Sequence, residues 1–295
     1  MSQLSYKPES YGELPFSDLH CHSCFSDGEL SPAQLLDGAS QAGVVVFAIT
    51  DHDTVAGVGA LRTAAADASE ADKVKVVSGV ELTCQWGRNM VHIIGLGFDE
   101  TDPALTGYLK KLDELRLVRA GLISQRLCKR NIPDLLPRAL ELAGSGQIGR
   151  PHFAFAMVEA GVVNNETQAF NRYLGAGKIG DVKVDWPTME QAIDIIHQAG
   201  GIAVLAHPTK YNMTFTKVRL LTGAFSEQGG DAIEISYPGI ESGHLLQLDK
   251  LASKHKLMVS AGSDFHKRQF HWTGIGKYPR YSSNNPHVLS KLLQD

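Results

Sequence analysis

The sequence predicts an α/β fold in which about seven strands and their helices form a barrel, one unit short of the eight-fold form. Three observations support this prediction. Apolar runs of strand length alternate with helical segments, this alternation stops between residues 102 and 186, and histidines and carboxylates recur where strands end. Residues 1–101 and 187–295 are therefore assigned to the barrel, and residues 102–186 to an all-helical insertion.

The opening segment predicts a strand followed by a helix. Residues 1–13 are polar and indicate a tail. The alternation that follows places the side chains of Asp18, His20 and His22 on one face of a strand. The next helix is expected over residues 31–43, because it starts with the capping-box sequence Ser-Pro-Ala-Gln and ends at a glycine.

The remaining barrel elements follow the same rhythm. Residues 44–49 form a continuous apolar run rich in β-branched side chains, which is typical of a strand buried on both faces of a parallel sheet. Further strands are expected at 74–82, 90–98, 202–206, 231–236 and 257–261, and helices at 54–71, 188–198, 217–225 and 241–255.

The insertion predicts helices only. Leucine and valine recur at three- to four-residue spacing from residue 105 to residue 127, which indicates one unusually long amphipathic helix that ends near Asn131. Shorter helices are expected at 135–143, 150–160 and 166–173.

Composition and charge exclude several classes of protein. The 43% of hydrophobic residues and 20% of charged residues are ordinary for a soluble globular protein. A net charge of −4 argues against a broad basic surface that holds long nucleic acid, although a pocket for one or a few phosphates is compatible with it. We expect a cytoplasmic protein, because the sequence contains neither an apolar run of membrane-spanning length nor a secretory signal.

The four cysteines, Cys21, Cys24, Cys84 and Cys128, lack the density of a disulfide scaffold. Cys21 and Cys24 form a C-x-x-C pair, but a zinc or redox function would need a second pair or a thioredoxin-like context. Strand alternation turns Cys21 away from its two neighbouring histidines, so both cysteines of the pair are expected to serve packing.

Metal-ligating side chains follow the predicted strands. A single histidine inside an apolar strand, such as His92, is more often a core or rim residue than a ligand, but a whole set at strand ends favours a metal site. The set comprises His20, His22, Asp27, His52, Glu81, His92, His207, Asp264 and His266. In barrels of this type the active site lies at that face. Six imidazoles and three carboxylates exceed the needs of one ion, so two or three divalent metals are predicted.

The motifs that contain these residues resemble those of the polymerase and histidinol phosphatase (PHP) superfamily of metal-dependent phosphoesterases. They are, in order, DLHCHSCFSDG, TDHD, GVEL, VHIIGL, LAHP and GSDFH. The insertion, with GRPHFA at 149–154 and YLGAGK at 173–178, is similar to the branch that contains bacterial 5′ to 3′ exoribonucleases of the ribonuclease AM type and 3′,5′-nucleotide bisphosphate phosphatases.

The resemblance implies a distorted seven-stranded barrel and three metal sites, two of which share Glu81. The implied ligand sets are His20, His22, Glu81 and Asp264 for one ion, Glu81, His92 and His207 for a second, and Asp27, His52 and His266 for a third. Manganese is the implied metal, with iron and zinc as other occupants.

The ligand chemistry fits phosphoester hydrolysis independently of the resemblance. Water that bridges two divalent ions has its pKa lowered towards about 7, so hydroxide is available without a serine or cysteine nucleophile. We expect His207, Asp264 and His266 to take part in catalysis, and His266 or a third ion to stabilise or protonate the leaving oxygen.

Substrate-binding residues are predicted in the insertion and near the strand ends. Arg150 and His152 match an Arg-x-His in the resembled branch and are expected to grip a second phosphate; the alternative for Arg150 is a salt bridge at the insertion surface. Lys210 stands where that branch tends to have arginine, so it keeps the charge but loses the planar fork. Arg88 is a weaker candidate. Lys178 and Tyr211 complete the set.

These features predict an enzyme that hydrolyses nucleotide phosphoesters. Its expected substrates are short RNA oligonucleotides, degraded from the 5′ end to 5′-mononucleotides, or 3′,5′-bisphosphonucleotides, which lose the 3′-phosphate. One alternative is a phosphatase for histidinol phosphate or another small molecule, for which the insertion offers no reason. Another is a metal-stabilised scaffold module without activity. The sequence indicates no obligate protein partner.

Overall fold

A computed structural model describes residues 14–68, 74–268 and 273–294. The predicted tail at 1–13 and the last residues of the helix predicted at 54–71 lie outside this range. The strands are β1 Ser17–Asp18, β2 Val46–Phe47, β3 Lys75–Val76, β4 Gly79–Trp86, β5 Asn89–Leu96, β6 Ile202–Leu205, β7 Ala232–Ser236 and β8 Met258–Ala261. The helices are α1 Pro32–Gln41, α2 Ala56–Asp67, α3 Pro103–Cys128, α4 Leu136–Ala143, α5 Arg150–Glu159, α6 Glu166–Ala169, α7 Met189–Gln198, α8 Phe215–Glu227, α9 Ser242–His255 and α10 Leu289–Leu292.

The predicted alternation of strands and helices is confirmed, and the strands form two sheets. One sheet has the order β1, β2, β3 and is parallel. The other has the order β4, β5, β6, β7, β8, in which β5 is antiparallel to both of its neighbours and the last three strands are parallel. The capping box of α1 is present as predicted, with Ser31 at the N-cap and Gln34 as its partner.

The single strand expected at 74–82 is wrong, because the chain changes sheet there. β3 pairs with β2, and β4 starts at Gly79 and pairs with β5. Ser78 lies between the two strands and its hydroxyl donates to the Phe98 carbonyl at 2.6 Å. A side chain at Gly79 would place Cβ 2.4 Å from the Ile49 carbonyl oxygen, so only glycine allows this close approach.

The closed barrel expected from the sequence is not confirmed, since neither sheet closes on itself within the described residues. Single-residue bridges join the two sheets at both ends, from Cys21 to Phe265 and from His52 to Glu81. Next to each bridge, one residue leaves strand geometry. Asp53 and Asp264 have left-handed backbones, with φ of 55° and 45°, which interrupts a regular ladder.

Helix α3 connects the barrel-like part of the chain with the helices of the insertion. Its first half, with Leu105 and Leu112, packs into the core beneath β4 and α7. Its second half, with Ile123 and Leu127, packs into a separate apolar core shared with α4 and α5. A five-residue π-helix, Phe170–Leu174, continues α6. The division of the chain into two units at residues 102 and 186 stays a prediction.

The packing of the C-x-x-C pair differs from the expectation at one position. Cys21 is buried in the apolar core, as predicted, but Cys24 is exposed because it lies in the turn that follows. Within the described residues, no helix combines the length and the apolar character needed to cross a lipid bilayer. The cytoplasmic location stays a prediction.

Candidate metal centre

Glu81 lies at the centre of the predicted ligands and is buried. Its two carboxylate oxygens face five imidazole rings. Oε1 is 2.9 Å from His92 Nδ1 and from His207 Nε2, and Oε2 is 3.5, 3.3 and 3.1 Å from His20 Nε2, His22 Nε2 and His52 Nδ1. A single carboxylate is therefore positioned to be shared between neighbouring ions.

Two aspartates extend the cluster on its open side. Asp264 Oδ1 is 3.4 Å from His20 Nε2 and 3.3 Å from His22 Nε2. Asp27 Oδ1 is 3.3 Å from His266 Nε2. Since the exposed fraction of these aspartate side chains is 9% and 13%, both carboxylates are largely removed from water.

The nine predicted ligands form four overlapping donor groups. Within each group the ligand atoms lie within 4.8 Å of one another. The groups are His22, Asp27, His52 and His266; His20, Glu81 and His207; His20, His22 and Asp264; and His52, Glu81 and His92. The structure therefore brings together every residue that the sequence predicts as a metal ligand.

Short segments after the strands place most of these ligands. His20 and His22 follow β1, while Cys21 between them points into the core. His207 follows β6 with φ of 26°, an uncommon backbone conformation for a non-glycine residue and one that clusters at functional sites. Glu81 departs from the predicted position at a strand end, because it is the third residue of β4.

Unpaired buried atoms test whether the cluster suits a metal ion. Seven nitrogen and oxygen atoms of the ligands are buried without a hydrogen-bond partner among the described residues. They are His20 Nε2, both ring nitrogens of His22, Asp27 Oδ1, His52 Nδ1, Glu81 Oε2 and His207 Nδ1. Leaving such groups unpaired is costly, and nitrogen and oxygen donors in this arrangement are what divalent transition metals bind. The residues therefore fit a metal centre.

The electrostatics of the cluster are set by carboxylates among imidazoles. Burial raises the pKa of Glu81, but the charges of His92, His52 and His20 outweigh it and the net pKa is well below the usual value. Burial lowers the pKa of His22, yet the carboxylates of Asp264 and Glu81 raise it to about 10. Without metal His22 therefore holds a proton, and metal binding has to displace it.

Glu234 on β7 is a functional residue that the sequence analysis missed. His20 donates from Nδ1 to Glu234 Oε1 at 3.0 Å, and the His207 backbone N–H donates to Oε2 at 2.7 Å. This carboxylate fixes the tautomer of His20 with Nε2 free to bind metal. A charged residue inside the apolar strand AIEIS was the available signal.

Two further aspartates hold the loops that carry ligands. Asp51 accepts from the Ser23 backbone N–H at 2.7 Å and from the Ser26 hydroxyl at 2.6 Å, which fixes the loop before Asp27. Asp18 shares a strand face with His20 by alternation, but its carboxylate accepts from the Gly276 backbone N–H at 2.7 Å instead of joining the ligands. Both residues shape the site through the backbone.

The predicted substrate residues of the insertion lie at different depths. Arg150 Nη1 donates to the Leu174 carbonyl at 3.1 Å and lies 3.8 Å from Asp181 Oδ1. His152 is buried, and its Nδ1 accepts from the Gly149 backbone N–H at 3.0 Å. Burial lowers the pKa of His152, and the nearby charge of Asp27 opposes this effect. Of these two residues, His152 is therefore the one that lies near the ligand cluster.

The candidates of the barrel part also differ in position. Lys210 Nζ is 2.5 Å from Asp264 Oδ2, so it reaches the ligand cluster directly. The Tyr211 hydroxyl accepts from the His92 backbone N–H at 2.8 Å and donates to the Ala206 carbonyl at 3.0 Å, which ties β5 to β6. Arg88 is exposed in the turn between β4 and β5, and Lys178 is exposed in the insertion. Substrate roles for these residues stay predictions.

A cleft of about 680 Å³ opens next to the cluster. Its floor includes Asp27, Asp264 and His266, and one wall is made by α5 and by the π-helix that follows α6. The volume lies within the range of about 300–1,000 Å³ that is usual for small-molecule sites. Substrate can therefore reach the ligands from this side.

Comparison with known proteins identifies a matching family and several similar proteins. A family model described as the PHP domain matches residues 18–143. The 5′-3′ exoribonuclease of Haemophilus influenzae is 42% identical over 260 residues, which cover 88% of this chain and 93% of that protein. The 3′,5′-nucleoside bisphosphate phosphatase of Chromobacterium violaceum is 37% identical over 250 residues, covering 84% and 86%. The solved structure of an amidohydrolase from Chromobacterium violaceum, with bound sulfate and no metal, has a TM-score of 0.86 at 34% identity and covers 94% of this chain and 96% of that one.

Proposed function

Because the chain belongs to the PHP domain family, we propose that it is a metal-dependent phosphoesterase that hydrolyses nucleotide phosphoesters. Its substrates are short RNA, degraded from the 5′ end to 5′-mononucleotides, or 3′,5′-bisphosphonucleotides, which lose the 3′-phosphate. One relative named for each of these activities matches most of the chain. The observation that carries the proposal is the buried Glu81 carboxylate shared by five imidazoles.

Two to three divalent ions would be held by overlapping donor groups. One ion would lie between His20, His22, Glu81 and Asp264, a second between Glu81, His92 and His207, and a third between Asp27, His52 and His266. The overlap of the four donor groups at Glu81, His20, His22 and His52 supports this assignment. Manganese is the proposed metal. The bridges from Cys21 to Phe265 and from His52 to Glu81 support a distorted barrel as the scaffold.

The bound ions would supply hydroxide at neutral pH and neutralise the phosphate. Residues of the chain would supply the remaining catalytic groups. His266 has 32% of its side chain exposed, and it lies in the cleft floor with Nε2 3.3 Å from Asp27 Oδ1. A third ion held there would stabilise the leaving oxygen; without that ion, Asp27 would orient His266 to donate a proton to the same oxygen as the general acid.

Phosphate binding would depend on cations around the cleft. Lys210 lines the cleft beside Asp264, and its ammonium would pair with a phosphate oxygen. Arg150 and His152 on α5 would contact a second phosphate. We expect Arg150→Ala to weaken substrate binding more than metal binding, and an unchanged Michaelis constant and turnover would count against this role. Arg88 is the weakest of the four because its turn is exposed.

The test combines metal analysis with two assays. The protein is purified without chelator, its metal content is measured, and 3′-phosphoadenosine 5′-phosphate and a short 5′-monophosphorylated RNA are supplied with manganese. We expect about two to three ions per chain and turnover of at least one substrate. Hydrolysis of histidinol phosphate far above both nucleotides would favour the small-molecule alternative. Bound metal without hydrolysis of any phosphoester would favour the scaffold module.

A further inference from the structure

A buried arginine of α3 lies against the loops of the metal centre. Arg116 is only 8% exposed, and the nitrogens of its guanidinium donate to three separate segments of the chain. Nε donates to Asp53 Oδ2 at 2.6 Å, Nη2 to Thr83 Oγ1 at 3.1 Å and Nη1 to the Ile148 carbonyl at 3.3 Å. One side chain of α3 therefore contacts two segments of the barrel part and the residues that precede α5.

The two barrel residues that accept from the guanidinium are neighbours of metal ligands. Asp53 follows His52 in the chain, and its backbone N–H donates to the Glu81 carbonyl at 3.0 Å. Thr83 lies two residues beyond Glu81 on the same face of β4 and is paired with His92 on β5. His52, Glu81 and His92 form one of the donor groups of the metal centre. Each ligand of this group therefore has a neighbour that is bonded to the guanidinium.

Asp53 and Thr83 are also bonded to each other. The Thr83 N–H donates to Asp53 Oδ1 at 2.6 Å, while the other carboxylate oxygen accepts from Arg116. Asp53 has φ of 55°, a left-handed conformation that is uncommon outside glycine and persists where the surrounding structure holds it. The guanidinium of Arg116 supplies that constraint at the residue next to His52.

A counter-charge alone would not require arginine at this position. Asp53 is fully buried, so its carboxylate needs a cation, and a lysine ammonium would supply that charge. The planar guanidinium also donates to Thr83 and Ile148, because its nitrogens are held at fixed angles. Trp186 is buried with its ring centre 5.8 Å from the Arg116 guanidinium carbon, so an aromatic ring packs beside the group as well.

We propose that Arg116 is a positioning residue that makes metal binding depend on the docking of α3. By fixing the two barrel residues that it contacts, it holds His52, Glu81 and His92 in their metal-binding arrangement. The inference rests on the proposed function, since it requires an ion at this donor group. An α3 helix displaced from this position would leave the three ligands without that support and lower their affinity for metal.

The test uses substitutions that separate charge from geometry. Arg116→Lys keeps a cation beside Asp53 but loses the planar guanidinium. Thr83→Val removes the hydroxyl that accepts from Arg116, whereas Thr83→Ser keeps it. Manganese affinity is measured by titration calorimetry of the folded proteins, and the free energy of unfolding is measured in urea with chelator.

The expected losses are specific to the contacts of the guanidinium. Arg116→Lys should weaken the binding of at least one ion by about tenfold, the lower end of the effect of residues that orient metal ligands. Thr83→Val should weaken the binding of the same ion. Thr83→Ser should rescue it to within about twofold of the wild type.

Arg119→Lys is the matched control. Arg119 lies one turn further along α3, is also 8% exposed, and donates from Nε to the Val182 carbonyl at 3.0 Å. Both lysine variants lose buried hydrogen bonds and should lower the free energy of unfolding in chelator, but only Arg116→Lys should weaken manganese binding. Manganese affinity within about twofold of the wild type in Arg116→Lys would overturn the inference. Equal losses of affinity in Arg119→Lys or in Thr83→Ser would overturn it too, because metal binding would then follow stability alone.

Hydrolysis by the wild type keeps this failure separate from failure of the proposed function. If the wild type binds manganese and hydrolyses 3′-phosphoadenosine 5′-phosphate, and Arg116→Lys binds manganese equally well, the enzyme remains a phosphoesterase whose metal centre does not depend on Arg116. A wild type that binds no manganese overturns both proposals.

Discussion

Replacement of Glu234 by glutamine would test how the metal ligands are oriented. Both carboxylate oxygens of Glu234 accept hydrogen bonds, one from His20 Nδ1 at 3.0 Å and one from the His207 backbone N–H at 2.7 Å. Glutamine keeps the shape but offers one acceptor and one donor. One of the two bonds is therefore replaced by a contact between two donors, in a place where Glu234 is only 1% exposed.

The expected effect is a tenfold to hundredfold loss of metal affinity, the usual result when the partner of a ligating histidine is removed. This corresponds to about 1.4–2.7 kcal/mol less stabilisation by saturating metal. Titration calorimetry with manganese measures the affinity. Thermal unfolding with metal and with chelator measures the stabilisation, and the difference between the two midpoints should shrink.

Glu241→Gln is the matched control, because the side chain of Glu241 is 82% exposed at the start of α9. It should leave manganese affinity unchanged. A Glu234→Gln protein that is folded and binds manganese within about twofold of the wild type would refute the reasoning, since its loss of a ligand-orienting bond would then have no consequence for the metal.

Four further substitutions have defined outcomes. Asp27→Ala should lower the metal content by about one ion per chain, and Glu81→Ala should lower it by more, because Glu81 belongs to two donor groups. Equal losses of metal in the two variants would contradict the shared position of Glu81. Arg116→Met removes the counter-charge of the buried Asp53, whose carboxylate lies 2.6 Å from the guanidinium. This substitution should lower the free energy of unfolding, measured in urea, by about 3–5 kcal/mol. A loss below about 1 kcal/mol would contradict a buried ion pair. Burial lowers the pKa of His287 from 6.5 to about 4. The unfolded chain therefore protonates this histidine at a higher pH than the folded chain does, and the stability of the fold decreases as the pH drops below 6.5. His287→Gln should remove about 2 kcal/mol of the stability difference between pH 7 and pH 5 in chelator, and an unchanged difference would refute the assignment.

The sequence was sufficient to predict which residues form the ligand cluster. Metal-binding side chains can be recognised by type, and most of them follow strands whose C-terminal ends meet on one face. His92 was the weakest of these predictions when taken alone, because a histidine inside an apolar strand is usually a packed residue. Its Nδ1 lies 2.9 Å from Glu81 Oε1, so the cross-strand hairpin of β4 and β5 places it in the cluster.

Other features depend on tertiary contacts that local patterns do not record. Glu234 orients two histidines from a strand whose pattern predicts only burial. The break between β3 and β4 falls at Ser78 and Gly79 within the stretch VKVVSGVEL, and the close approach of Gly79 to Ile49 marks it in space. Closure of a barrel depends on single-residue bridges between segments far apart in the chain, for which period-two alternation carries no signal.

Two segments from distant parts of the chain meet at the metal centre. The Asp264 N–H donates to the His20 carbonyl at 2.7 Å, and the His22 N–H donates to the Phe265 carbonyl at 2.9 Å. During translation His20 and His22 leave the ribosome long before Asp264 and His266 are synthesised. A nascent chain therefore has no complete metal centre.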